Sequence, residues 1–139
     1  MTENIDSFRK AKLIQRFIAL VFLILGGWCL VSPMSVVQLT ILPEHQAFTM
    51  PMRVAIGAFG AQACLAGLFV WFSVFTRTTY LAYGLALLPF FAFDWWFYFV
   101  DPLFNELILL DAVGNLIMLA LCVCGYKLLR NASEVDAGS

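Results

Sequence analysis

The stretch from Phe91 to Pro102 reads FAFDWWFYFVDP. Seven of the ten residues from Phe91 to Val100 are aromatic, and one carboxylate, Asp94, stands among them. A carboxylate in such surroundings can carry a proton, act as a general acid in isomerase-type chemistry, or anchor a cationic amphiphile. In the last role the ring faces add cation–π attraction. Four further residues and one loop pair could share its work. Asp111 and Asn115 lie one helical turn apart further along the chain, Arg53 is a cation with a long stem, and Tyr98 is one turn beyond Asp94. The adjacent Glu44 and His45 could close a site from above. The candidate site is therefore a charged cluster of Arg53, Asp94 and Asp111. Asn115 and Tyr98 are its hydrogen-bonding neighbours. If the chain is an enzyme, Asp94 and Asp111 are its acid and base. A pairing of Arg53 with either aspartate could equally serve only to fix how helices dock.

Other chemistries lack their residues. With a single histidine, a metal centre built on His ligands is not expected, and no cofactor or haem is expected either. The glycines in GAFG and GG fall within apolar runs, where they are packing signals and not phosphate cradles. No nucleophile motif or dinucleotide fingerprint occurs. The four cysteines, at positions 29, 64, 122 and 124, all lie in apolar runs. Cys122 and Cys124 are about 200° apart around a helix, so they read as small packing residues.

The elements that must position the cluster are set by composition. Hydrophobic residues make up 63% of the 139 and charged residues only 12%, half the share of a soluble fold. Four runs, about 13–32, 53–75, 79–100 and 107–128, each supply the roughly 20 apolar residues that cross a ~30 Å hydrocarbon core. The expected fold is all-α, a four-transmembrane-helix up-and-down bundle. It forms one membrane domain over 13–128, between an N-terminal segment 1–12 and a tail 129–139. Both end segments are polar and expected to fray. The first run is long for a signal-peptide core and SPMS offers no cleavage pattern, so it is read as a retained helix.

Seven of the eight basic residues (Arg9, Lys10, Lys12, Arg16, Arg77, Lys127 and Arg130) fall on one side, which places both termini in the cytoplasm. Arg53 is the exception. Five of the nine acids (Glu44, Asp94, Asp101, Glu106 and Asp111) belong to the outer half and mark an outer-facing polar site. Short connections imply that spans 2 and 3, and spans 3 and 4, are antiparallel neighbours. The outer loop 33–52 is too apolar for a linker and holds three prolines, so it is expected to form an interfacial helix or a flap over the bundle mouth.

Helical periodicity distributes the faces. In span 2, Arg53, Gly57, Gly60, Cys64, Gly67 and Trp71 fall within about 40° of one line. This is first a packing groove, because small residues let membrane helices approach; its alternative is the wall of a ligand cavity. In span 4, Asp111, Asn115, Met118, Cys122 and Gly125 form an inward polar stripe. In span 3, Tyr83, Leu87, Asp94 and Tyr98 share a face, Pro89 is expected to kink the helix, and Asp94 lies roughly 9 Å below its outer end. Trp95, Trp96 and Tyr98 read as an aromatic belt at the outer interface.

The arginine opening span 1 (R-FIALVFLILGG, Arg16 to Gly27), the glycine-rich RVAIGAFGAQACLAG and the four-span plan of about 140 residues are similar to small bacterial inner-membrane families. The chain most nearly resembles the DoxX-like grouping and related families of unknown function. The resemblance implies a bacterial inner membrane and carries over no catalytic residues. The long outer loop and FDWWFYFVDP depart from its pattern. Small multidrug transporters also have four spans, but their membrane-embedded acid lies in span 1, which here has none.

Three functions follow from these readings. The first is a non-enzymatic accessory subunit or an amphiphile- or lipid-binding module. The second is a membrane-embedded acid/base enzyme on a lipid-, sterol- or quinone-like molecule, and the third an oligomeric proton-coupled transporter. The expected partners are the lipid bilayer, a hydrophobic small molecule or larger membrane complex, and further copies of the chain. No basic patch faces an aqueous domain, so nucleic acid is not expected.

Overall fold

The structure, a computed structural model, describes residues 2–137, with side chains from 5 to 132. Five α-helices account for almost all of it: α1 (Thr2–Val31), α2 (Pro33–Thr40), α3 (Met50–Phe72), α4 (Arg77–Trp95) and α5 (Ile108–Ala137). Four of them contain apolar spans, Ile5–Val31, Met50–Phe72, Arg77–Val100 and Ile108–Ala132, long enough to cross a membrane. The chain is thus an all-helical protein with the composition and helix lengths of an integral membrane protein. The helices outrun the apolar segments at both ends. α1 continues back through the polar 2–12, where Asp6 and Lys10 pair one turn apart at 3.6 Å and Ala11 is buried against the core.

α1 is the central helix. It packs along α3 on one side and α5 on the other, and α4 packs against α5. In hydrocarbon, burying apolar surface gives no gain over lipid, so helices hold together where backbones approach and side chains interlock. The α1–α3 seam is such an approach. A Cβ on Gly26 would lie 2.8 Å from the Ala63 Cβ and 2.9 Å from the Gly60 carbonyl oxygen. One on Gly60 would collide with the backbone of Leu30 and Gly26. Gly67 meets Leu23 and the Ala19 carbonyl in the same seam. The small-residue face of span 2 is therefore a packing groove, and α1 fills it. Between α4 and α5, the Tyr80 ring lies against Gly125, where a Cβ would be 2.5 Å from the ring.

This arrangement corrects one expectation. α3 and α4 are joined by only four residues, 73–76, yet they share no extensive interface. Ser73 and Thr76 are both extended (ψ 173° at each), so the connection steps sideways instead of folding back. Phe75 turns into the space between them and stacks edge-on against Tyr80 at 5.0 Å. Thr76 then opens α4 with a capping box, exchanging hydrogen bonds with Thr79.

The long loop between α1 and α3 is ordered. Pro33 starts α2, and Pro33 and Val37 are buried. Beyond α2, Ile41 forms a single antiparallel bridge with Phe104. The Leu42 N–H donates to the Leu103 carbonyl (2.9 Å), and the Asn105 N–H donates to the Thr40 carbonyl (2.9 Å). The Asn105 side chain adds a 2.6 Å bond to the Leu39 carbonyl. The loop is strapped onto the α4–α5 connection, which satisfies backbone groups that would otherwise be costly at the edge of a bilayer.

The Gly26–Gly60 approach generates a direct test. Gly60→Ala should destabilise the protein by about 1–3 kcal/mol, since backbone and not a flexible side chain must yield. Gly57, one turn away, has open space around it, so Gly57→Ala should be neutral or slightly stabilising. Reversible unfolding of both variants in mixed detergent micelles checks the difference.

Candidate functional site

Of the residues singled out in the sequence, the structure brings three together. α4 delivers Asp94, whose side chain is buried although its neighbours on both sides, Phe93 and Trp95, are exposed. α5 delivers Asp111 and, one turn on, Asn115. The Asn115 amide nitrogen donates one proton to Asp111 Oδ2 at 2.9 Å and the other to Asp94 Oδ2 at 3.4 Å. One neutral amide therefore serves two carboxylates and ties α4 to α5.

The rest of the expected cluster lies elsewhere. Arg53 is exposed near the start of α3 and makes no ion pair with either aspartate; the only ion pair among the described residues is Asp6–Lys10. The cause is the helix order, since α3 packs on α1, and α4 and α5 lie to the other side of α1. Glu44 and His45 occupy an exposed 3-10 turn, Pro43–His45, in the loop between α1 and α3. Tyr98 is half-buried with its ring edge-on to Phe99 at 4.8 Å, and no hydrogen bond joins it to the trio.

α4 runs unbroken through Pro89. Immediately beyond Asp94 its character changes, as Trp96–Val100 form one π turn closed by the Asp101 N–H on the Trp96 carbonyl at 3.0 Å. Phe97 lies one turn beyond Phe93 (4.7 Å) and near Phe104 (6.1 Å), and Trp95 and Trp96 stay outside. A π turn is a common way for a helix to end, and this one closes α4 just after the buried carboxylate.

The opposite, basic end of the bundle holds polar groups that sequence reasoning missed. Gln15 is buried and fully used: its amide nitrogen donates to the carbonyls of Val70 (2.6 Å) and Ser73 (2.8 Å), and its oxygen accepts from the Phe75 N–H (3.4 Å). The Tyr80 hydroxyl donates to the Ala11 carbonyl at 2.6 Å. Arg16 lies 5.3 Å from the centre of the Trp71 ring. Beside them is a half-open cavity of about 410 Å³, lined by Lys12, Arg16, Trp71 and Phe75 among others. It does not reach Asp94 or Asp111. The available signal for Gln15 was a lone amide one residue before Arg16 at the start of an apolar run. A second amide that the sequence reading passed over, Gln62, sits in the middle of α3.

Comparison of the chain with protein-family models, curated proteins and solved structures finds no match.

The shared amide predicts a measurable cost. Asn115→Ala leaves two carboxylates facing each other without a donor and should destabilise the protein by about 2 kcal/mol. Asn115→Gln should recover part of the loss. Denaturation in detergent, followed by circular dichroism, reads both.

Proposed function

We propose that this chain is a small, non-enzymatic binding module of the bacterial inner membrane. Both termini are cytoplasmic, and the Asp94–Asn115–Asp111 trio faces the outer side to receive the cationic head of an amphiphile. The observation that carries the reading is the sharing of one neutral amide by two carboxylates, with the candidate cation from the sequence, Arg53, on α3, which packs on α1 and not on α4 or α5. A membrane-embedded carboxylate pair is costly without positive charge, and among the described residues no cation pairs with it. A cation from outside supplies it, and the amphiphile's tail lies along the apolar faces of α4 and α5.

Three features support the setting. Basic residues gather at the end opposite the trio, as the positive-inside rule requires of a cytoplasmic end. The Arg16–Gly27 pattern and glycine-rich α3 resemble DoxX-like inner-membrane proteins. Trp95, Trp96 and Tyr98 follow Asp94 directly and supply interfacial rings for a cationic head.

Native mass spectrometry with a dodecyl quaternary ammonium and a dodecyl maltoside tests the reading. The cationic amphiphile should be retained as a one-to-one adduct and the neutral one lost. Asp94→Asn should weaken retention about tenfold, the equivalent of ~1.4 kcal/mol. Arg53→Ala should leave it unchanged. Equal retention of both amphiphiles, or an Asp94→Asn variant that binds like the parent, would sink the proposal.

A further inference from the structure

The middle of α3 carries a polar group with nothing to bond. Gln62 lies twelve residues from Met50 and ten from Phe72, which puts it about 18 Å and 15 Å from the two helix ends at ~1.5 Å per residue. Its side chain is exposed and makes no hydrogen bond among the described residues, unlike Gln15, whose amide is fully engaged. At 100° per residue it points away from Gly60, Cys64 and Gly67, the residues that face α1. α3 has no second spanning helix packed against it, so this face looks out of the bundle. A carboxamide at mid-membrane depth would stand in hydrocarbon, where an unbonded polar group is expensive.

The surroundings of Gln62 are shaped for a close neighbour. Ala58 and Ala66 flank it one turn away on either side, with Ala55 further along, so the backbone is accessible beside the amide. Phe59, Leu65 and Phe69 border this strip and are exposed. We infer that α3 is the interface of a homodimer in which Gln62 of one copy hydrogen-bonds Gln62 of the other. A carboxamide is both donor and acceptor, so a two-fold axis through this point lets the two amides satisfy each other. No other residue type is required of the partner, and the alanines allow the helices to come within hydrogen-bonding reach. The trio on α4 and α5 is unaffected, because α1 stands between it and this face. The inference is independent of the amphiphile reading.

Energy transfer between donor- and acceptor-labelled protein in vesicles, measured as lipid is added to dilute the chains, tests it. The parent should dimerise. Gln62→Leu should raise the dissociation constant roughly five- to thirtyfold, and Gln62→Asn should retain most of the association. Ala58→Trp should weaken dimerisation independently by keeping the helices apart. Because Gln62 is exposed and makes no hydrogen bond among the described residues, unfolding of Gln62→Leu in detergent should match the parent, which separates lost association from lost fold. A parent that is monomeric at every dilution, or a Gln62→Leu variant that dimerises as tightly as the parent, overturns the inference.

Discussion

Much of this structure depends on one buried amide. Gln15 reaches from α1 to the last carbonyls of α3 and to the N–H of Phe75, using both of its protons and its oxygen. A helix C-terminus leaves carbonyls without intrahelical partners, and near the hydrocarbon those carbonyls must be satisfied from within the protein. Gln15 does this for α3 and simultaneously fixes where the chain turns. Phe75 is thereby set against Tyr80, and Tyr80 in turn bonds the Ala11 carbonyl and occupies the space left by Gly125. The basic ends of α1, α3, α4 and α5 are joined through these few contacts.

That anchoring makes α1 the hub. Its glycine seam with α3 and its packing on α5 leave α3 and α4 on opposite flanks, even though only four residues connect them. The order of helices then decides which polar groups can meet. Asp94, Asp111 and Asn115 lie on the directly packed pair α4 and α5, so they converge. Arg53 lies on α3 and pairs with neither aspartate. At the opposite end the chain uses a different device, a backbone strap from 40–42 to 103–105, so the loop connecting α1 to α3 is tied to the connection between α4 and α5.

The candidate site was partly legible in the sequence. Period-3.6 reading placed Asp111 and Asn115 on one face and turned Asp94 away from its exposed aromatic neighbours, and the trio follows from those two faces. The same reading could not assign Arg53, because periodicity gives the direction of a side chain around its own helix but not which helix stands opposite. Gln15 and Gln62 show a related limit. Both are lone amides in apolar runs, and only the packing distinguishes the one that closes three backbone bonds from the one that has none.

By itself the sequence determined the class of protein. Four apolar runs of spanning length, almost free of charge, leave helices as the only way to satisfy the backbone, and small residues on one face of span 2 already implied a close helix contact. The tertiary structure decided which helix fills that groove, that α3 and α4 stand apart despite their short link, and that FAFDWWFYFVDP ends in a π turn. These outcomes depend on contacts between residues tens of positions apart, Gly26 with Gly60 and Gln15 with Ser73. No local pattern in the chain records such pairings, because each is fixed by the simultaneous packing of all the helices.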